Sequence, residues 1–285
     1  MRVALALGSG GARGFAHIGV LQALAERGHE VSAIAGTSAG SLVGGVFAVG
    51  RLDEFTDWVT GLTQAQVLLL LDPAIGSPGV VRMQRWMARV HEFLGDTRIE
   101  ELPIPYVAVA TDLAAQREVW FEHGPLAAAI RASIAIPTAI TPVKLHGRLL
   151  ADGGLMNPVP LDALPSWSSD VTIAVDLNAP PARSGGPVSE TADETPTTSW
   201  FEGLRRTAAH AAASISAPLA QLGRREDPDV EGSDELFEDL PRDLKTLDVL
   251  AMSLNASQAL VTRFRTAANP PDLWVKVPVD SCSTL

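Results

Sequence analysis

The chain has 285 residues, of which 46% are hydrophobic and 19% are charged, which is typical of a globular protein built as one large α/β domain or two smaller ones. The formal net charge of −11 disfavours nucleic acid as a partner, because phosphate binding requires a concentrated basic surface. The only cysteine, Cys282, excludes an intrachain disulfide and a thiolate metal cluster, and the six histidines stand at no spacing typical of metal ligands.

The N-terminal segment MRVALALGSGG contains an apolar run that is too short for a signal peptide. The longest apolar stretches elsewhere, such as Val67–Leu71, are far below the length needed to span a membrane. We therefore expect a cytoplasmic protein that contacts a membrane surface at most transiently, as a peripheral protein.

The first fifty residues predict alternating strands and helices. Val3–Leu7 is predicted to be a buried strand, the glycine-rich turn Gly8–Gly14 follows it, and a helix is expected over about 15–27. A second strand, Val31–Ala35, precedes a helix over about 39–49. This order at short spacing implies parallel strands joined by right-handed crossovers.

The middle of the chain is less regular. Residues 53–95 are predicted to be helical and irregular, and their Trp, Met and Leu side chains form either core or an apolar groove or lid, with core favoured. Gly124 and Pro125 open a further helix. The remaining predicted strands are Pro105–Thr111, Val119–Phe121, Arg148–Ala151, Val171–Leu177 and Leu273–Val277.

A linker rich in Pro, Ser, Thr and Gly is predicted at 178–199. It separates a core at 3–177 from a C-terminal helical part at 200–285, which we expect to pack on the core. The run 226–239 holds eight acidic residues and no basic one, which is typical of a solvated loop. The two helices predicted in the C-terminal part are Trp200–Leu222 and Leu244–Ala268.

Ser38 lies at a junction between a predicted strand and a predicted helix, within Gly36-Thr-Ser-Ala-Gly40. This fits the G-x-S-x-G nucleophile elbow, in which a sharp turn leaves no room for side chains at the flanking positions and exposes the hydroxyl. A serine at the start of a helix is equally typical of a simple N-cap.

The glycine-rich turn after the first strand places several backbone N–H groups, near Gly10, Gly11 and Ala12, where they converge on an anion. In an acyl transfer that anion is the tetrahedral oxyanion. A dinucleotide site is the competing interpretation, but its G-x-G-x-x-G pattern requires glycine where this chain has Arg13, and the Gly-Lys-Ser/Thr of a Walker loop is missing.

Asp152 is the candidate base for Ser38, because it ends an apolar strand where burial would raise its pKa. An aspartate before a glycine is also typical of an ordinary turn. A third possibility is a serine–histidine–aspartate triad in which His123 or His146 is the base.

Three motifs together resemble the patatin-like phospholipase family, in its bacterial branch: G-x-G-G-x-R-G at 8–14, G-x-S-x-G at 36–40 and D-G-G at 152–154. The resemblance extends over roughly residues 3–177. The connecting segments IEELPIPYVAVATDL (99–113), AAAIRASIAIP (127–137) and DGGLMNPVP (152–160) are also similar to the family.

The resemblance implies a three-layer, α/β-hydrolase-like fold with a mostly parallel central sheet, and a Ser–Asp dyad without histidine. By the resemblance Ser38 is the nucleophile and Asp152 the base. We expect Ser133 and Pro137 to shape the loop beside them, and a catalytic role for either is the less favoured alternative. The residues it implies around the dyad are Gly10, Gly11 and Ala12 as oxyanion-hole donors, Arg13 supporting the loop or a phosphate, and Gly36, Gly40 and Gly153 as supporting glycines.

The implied activity is that of a serine lipid acyl hydrolase, of the phospholipase A, lysophospholipase or esterase type, acting through an acyl-enzyme. It requires an acyl-ester lipid as substrate and no cofactor or metal ion. Two alternatives on the same fold are a non-catalytic or regulatory lipid-binding protein and an acyltransferase. Members of the family usually continue into a final helix where this chain ends at Leu285, so the C-terminal part is either shortened or ends there naturally.

Overall fold

A mixed eight-stranded sheet lies at the centre of the protein. The computed structural model describes residues 1–72, 79–164, 169–179, 246–279 and 281. The strands in chain order are β1 (Arg2–Leu7), β2 (Glu30–Thr37), β3 (Gly79–Val81), β4 (Tyr106–Asp112), β5 (Arg117–Phe121), β6 (Thr138–Ile140), β7 (Val143–Leu145), β8 (Arg148–Asp152), β9 (Val171–Ala179) and β10 (Leu273–Pro278).

The order of strands in the large sheet is β10-β9-β1-β2-β4-β8-β7, and β5 also pairs with β4. The five strands from β10 to β4 are parallel, whereas β5 and β8 run antiparallel to β4, and β7 antiparallel to β8. The prediction of a mostly parallel central sheet is therefore confirmed. The short strands β3, β6 and β7 were not predicted, because three residues are too few to show a period of two.

Most helices lie between the first and sixth strands, and a last long helix precedes β10. The helices are α1 (Ala16–Glu26), α2 (Ala39–Ala48), α3 (Leu52–Thr60), α4 (Gln64–Leu70), α5 (Gln84–Leu94), α6 (Leu126–Ser133) and α7 (Thr246–Ala268). Single 3-10 turns occur at Gly11–Phe15, Ile99–Glu101, Gly153–Leu155 and Leu161–Ala163.

The stretch 53–95, predicted to be helical and irregular, forms α3, α4, β3 and α5. Its aromatic side chains pack with one another: the ring of Phe55 lies 5.6 Å from that of Phe93, and the rings of Trp58 and Trp86 are 5.1 Å apart between centroids. Leu71, Met83 and Trp86 belong to the main hydrophobic core, as the favoured interpretation expected, whereas Leu68 and Leu69 are exposed and do not.

The two faces of the sheet carry side chains of different size. Along β1, Val3, Leu5 and Leu7 point into the main core, which they share with the helices that follow, whereas Ala6 packs on the other face against Val159. Small side chains on that second face let the segment after β8 approach closely, and α7 contacts both that segment and β9. The three layers are the helices on the first face, the central sheet, and the segment after β8 together with α7 on the second face.

Two strands meet end to end on one edge of β4. β2 pairs with Tyr106–Val109 and β8 with Ala110–Asp112, so their partners on β4 do not overlap. β5 pairs with 108–112 and therefore lies on the opposite edge. Consequently Thr37, the last residue of β2, and Asp152, the last residue of β8, pair with neighbouring residues of β4.

Several sequence predictions fall outside the described residues: the linker beyond Ala179, the helix Trp200–Leu222, the acidic run 226–239 and Cys282. The helix predicted at Leu244–Ala268 corresponds to α7. In the part of the chain that the structure describes, no helix combines the length and apolarity needed to cross a membrane.

Candidate active site

Ser38 lies in a strained turn between β2 and α2, with a φ of 55° that is rare for a residue with a side chain. The flanking glycines are required by close packing. A Cβ on Gly36 would lie 2.6 Å from the backbone nitrogen of Ser41, and a Cβ on Gly40 would lie 2.0 Å from the carbonyl oxygen of Leu7. Both positions therefore exclude any side chain, as the G-x-S-x-G pattern predicts.

The Ser38 hydroxyl does not cap α2, since the helix has no side-chain cap. It donates instead to Oδ2 of Asp152 at 2.5 Å, a length typical of a hydrogen bond to an ionised carboxylate. The other carboxylate oxygen, Oδ1, accepts the N–H of Gly154 at 2.7 Å. Asp152 thus forms the ordinary turn that is typical of an aspartate before a glycine, and it contacts Ser38 as well.

Burial dominates the electrostatics of Asp152, which is 4% exposed. Loss of solvation raises the pKa of the Asp152 carboxyl to about 6, and hydrogen bonds from Ser38 and Gly154 oppose this rise. The carboxylate is therefore the main form at pH 7, but it is a much stronger base than an exposed aspartate.

Ser133, at the end of α6, holds the turn from behind. Its Oγ accepts the N–H of Ser38 at 2.9 Å and donates to the carbonyl oxygen of Val109 at 2.6 Å. Ser133 is fully buried, and in these two bonds its hydroxyl acts both as an acceptor and as a donor. The sequence predicted that Ser133 shapes the loop, but not that it binds the backbone of Ser38.

Gly153 is required where β2, β4 and β8 converge. A Cβ at this position would lie 2.2 Å from the carbonyl oxygen of Val109 and 3.1 Å from Cγ2 of Thr37. Any larger residue would therefore push Asp152 away from the end of β2 and away from Ser38.

The glycine-rich turn packs directly against the start of α2. A Cβ on Gly14 would lie 2.3 Å from Cβ of Ala39, the residue after Ser38, and a Cβ on Gly10 would lie 2.5 Å from Cβ of Leu177. The 3-10 turn begins at Gly11, and the first N–H groups of such a turn have no partner within it. Among the described residues, the N–H groups of Gly10, Gly11 and Ala12 donate to no carbonyl or side chain.

Arg13 ties this turn to the end of β9. Its Nε donates to the carbonyl oxygen of Leu177 at 2.8 Å, and its guanidinium also donates to Oδ1 of Asn178 at 2.7 Å. Asn178 in turn donates through Nδ2 to the carbonyl oxygen of Ser9 at 2.9 Å. Of the two roles predicted for Arg13, these contacts favour support of the loop over binding of a phosphate.

His17 supports the same turn from the core. Its Nε2 lies 2.8 Å from the carbonyl oxygen of Gly8, and because a carbonyl only accepts, Nε2 carries the proton. Complete burial lowers the pKa of His17 to about 4, against the effect of this hydrogen bond. The imidazole is therefore neutral and packed near pH 7.

The two histidines considered as alternative bases are exposed. His123 follows β5, and His146 lies in the turn before β8, at the opposite end of that strand from Asp152. The four residue steps from Arg148 to Asp152 alone span about 13 Å. Within the described residues, neither histidine hydrogen-bonds to Ser38 or Asp152, and no cluster of three His, Cys, Asp or Glu could hold a metal ion.

The model of the family described as patatin-like phospholipase matches residues 5–165, more than half of the chain. The chain belongs to the patatin-like phospholipase family. It is also 42% identical over 313 aligned residues to an NTE family protein of Mycobacterium tuberculosis, and the match covers 100% of this chain and 86% of that relative. The predicted family is therefore confirmed, and the chain is assigned to a family of lipid hydrolases.

Larger relatives share only part of their length with this chain. Patatin-like phospholipase domain-containing protein 7 of Mus musculus is 34% identical over 184 residues, which are 62% of this chain and 14% of the relative. Patatin-like phospholipase domain-containing protein 6 of Homo sapiens is 34% identical over 184 residues, which are 62% of this chain and 13% of the relative. Among solved structures, VipD from Legionella pneumophila matches with a TM-score of 0.45 and 13% identity, over 93% of this chain and 66% of VipD.

Proposed function

We propose that the protein is a serine lipid acyl hydrolase in which Ser38 is the nucleophile and Asp152 the base. The observation that carries this proposal is the buried hydrogen bond of 2.5 Å from the Ser38 hydroxyl to a carboxylate whose pKa is raised to about 6. A base close to neutrality, in contact with a hydroxyl on a strained turn, is the arrangement that nucleophilic catalysis by serine requires.

In the proposed reaction, Asp152 accepts the proton of Ser38 while Oγ attacks the carbonyl carbon of an acyl ester. The tetrahedral intermediate collapses, the bond to the alcohol oxygen breaks, and the protonated Asp152 returns the proton to that oxygen. Water then attacks the acyl-Ser38 ester, with Asp152 accepting one of its protons. Collapse of this second intermediate releases the fatty acid, and the proton returns to Ser38.

The oxyanion of each intermediate requires nearby hydrogen-bond donors. The N–H of Ser38 is already used by Ser133, so it is not a candidate donor. We assign this role to the N–H groups of Gly10, Gly11 and Ala12, because their turn packs on the residue next to the nucleophile. Losing one such donor typically lowers kcat by about 10²–10³-fold.

The substrate class follows from the family and the chemistry together. An acyl-ester lipid supplies the carbonyl that Ser38 attacks, and two of the relatives carry phospholipase in their names. Since such substrates reside in membranes or micelles, we propose a cytoplasmic enzyme that meets a membrane surface transiently.

Labelling with a fluorophosphonate probe, followed by intact-mass spectrometry, tests the nucleophile. We expect one adduct on the wild type and on Ser32→Ala, a matched control that removes a buried serine of β2 whose hydroxyl has no partner among the described residues. We expect no adduct on Ser38→Ala. Equal labelling of Ser38→Ala would refute the assignment of the nucleophile.

Hydrolysis of p-nitrophenyl esters and phospholipids by the same proteins tests the reaction. Labelling of Ser38 without hydrolysis, followed by turnover once an acceptor alcohol is added, would instead identify an acyltransferase. If the wild type shows no labelling and no hydrolysis, the result would favour a lipid-binding protein.

A further inference from the structure

A partly buried ionic cluster connects the last long helix to the core. Arg265 of α7 contacts the carboxylates of Glu118 on β5 and Asp162 in the 3-10 turn after β8. The three side chains are 15–29% exposed, so the pairing is largely removed from solvent. Oε2 of Glu118 also accepts the indole N–H of Trp120 at 2.8 Å, and Arg265 is the cation that contacts both carboxylates.

Asn157 is the residue on which the two carboxylates converge. Its Nδ2 donates to Oε2 of Glu118 at 2.9 Å and to Oδ1 of Asp162 at 2.7 Å, and the residue is fully buried. Both protons of one amide are thus used by two negative charges, which repel each other unless Arg265 neutralises them.

The backbone of Asn157 joins the two halves of the candidate active site. Its carbonyl oxygen accepts the hydroxyl of Thr37 at 2.8 Å, and its N–H donates to the carbonyl oxygen of Gly153 at 2.8 Å. Thr37 directly precedes Ser38, and Gly153 directly follows Asp152. A shift of Asn157 would therefore change the distance between the side chains of Ser38 and Asp152.

We propose that Arg265 is a positioning residue: by neutralising Glu118 and Asp162, it holds Asn157 in the place that sets the contact between Ser38 and Asp152. This inference rests on the proposed function, and it extends the catalytic unit to α7, beyond the residues 5–165 that the family model matches. Arg265 touches neither reacting group, and its contacts with Glu118 and Asp162 reach the site through Asn157.

The test compares Arg265→Met with Arg263→Met, an exposed arginine of the same helix that serves as the matched control. We expect Arg265→Met to lower kcat by about tenfold or more, because displacements of about 1 Å cost up to about 10²-fold, with KM changed by less than about twofold. The rate of fluorophosphonate labelling should fall by the same factor, and Arg263→Met should match the wild type.

Rates are expressed per active site, by titration with the probe. A purely structural role for Arg265 would reduce the number of active sites but leave kcat per site at the wild-type value, and this result would overturn the proposal. Where Arg265→Met yields little folded protein, Arg265→Lys is measured as well, since an ammonium lacks the planar fork that bridges two carboxylates. We expect a smaller loss of kcat, and an unchanged kcat would again overturn the proposal.

Hydrogen–deuterium exchange separates failure of this inference from failure of the proposed function. If the wild type shows no Ser38-dependent hydrolysis, the proposed function fails, and exchange in a peptide covering 152–158 still tests the role of Arg265. Faster exchange there in Arg265→Met than in Arg263→Met supports the positioning role, and equal exchange contradicts it.

Discussion

Replacing Asp152 by asparagine should have opposite effects on activity and on stability. The amide cannot accept a proton from Ser38, and losing a general base typically costs about 10²–10⁴-fold in kcat. The fold should persist, because the carboxamide oxygen can still accept the N–H of Gly154 that Oδ1 accepts at 2.7 Å. The neutral amide resembles the protonated form of the aspartate, which is the form that burial favours.

The size of the stability effect follows from the raised pKa of Asp152. A change from the ordinary value of 3.8 to about 6 corresponds to about 3 kcal/mol at 1.36 kcal/mol per pKa unit. Because the pKa is raised on folding, this stability is fully present below pH 3.8 and is lost as the pH rises through about 6. Asp152→Asn avoids that loss, so its free energy of unfolding at pH 7.5 should exceed that of the wild type by up to about 3 kcal/mol.

Urea unfolding of both proteins at pH 4 and pH 7.5, with kcat/KM of the wild type from pH 5 to 8, checks this reasoning. The stability difference should nearly vanish at pH 4, and kcat/KM should fall about tenfold per pH unit below pH 6, where Asp152 becomes protonated. His17 is buried in both proteins, so its titration cancels in the comparison.

Asp112→Asn is the matched control, since Asp112 is also a buried strand aspartate but has no hydrogen bond to Ser38 among the described residues. Its Oδ1 accepts backbone N–H groups of the following turn, and its Oδ2 lies 4.0 Å from Nε of Arg148 in an ion pair. It should retain kcat within a few-fold. If Asp152→Asn is less stable than the wild type at pH 7.5, or if kcat/KM shows no acid limb near pH 6, the assignment of a buried, basic Asp152 is refuted.

Four further substitutions test the surroundings of the site. His123→Ala and His146→Ala should each cost less than about tenfold in kcat, and a loss of several orders of magnitude with an unchanged circular dichroism spectrum would restore a triad. Gly11→Val should lower kcat more than KM, because oxyanion donors act mainly in the transition state; micromolar binding of ATP or NAD by the wild type in calorimetric titration would contradict this assignment. Ser133→Ala leaves the buried N–H of Ser38 and the buried carbonyl of Val109 without this partner. The free energy of unfolding in urea should fall by about 1–3 kcal/mol for each group, and labelling of Ser38 should become slower. Unchanged stability and unchanged labelling would contradict the role of Ser133.

The glycines of the site could be predicted from sequence because each one stands in a short motif, although the groups that exclude a side chain at Gly40 and Gly153 belong to the distant residues Leu7 and Val109. Gly36 and Gly40 frame Ser38 within five residues, and the turn they require has few other solutions. Strands β1 and β4 could be predicted because each contains five consecutive apolar residues, Val3–Leu7 and Tyr106–Ala110, and such a run indicates a buried strand. Asp152 could be found because an apolar strand ends at it.

Other parts of the site depend on contacts between distant residues and leave no local pattern. Ser133 lies 95 residues from Ser38 along the chain, and an isolated serine near the end of a helix indicates nothing about its partner. Asn157 and Arg265 are separated still further, and their connection runs through Glu118 and Asp162. Each of these residues taken alone is typical of a solvated surface.

The direct contact between Ser38 and Asp152 links base strength to stability in the proposed reaction. In a triad, imidazole titrates close to neutrality without assistance from its surroundings. A carboxylate that contacts the hydroxyl itself must acquire basicity from its environment, and burial of Asp152 supplies it by raising the pKa to about 6. The same burial destabilises the folded protein at pH 7, so a substitution that admits water beside Asp152 should lower its pKa, which weakens the base and removes this part of the destabilisation, while any cavity it leaves costs stability separately.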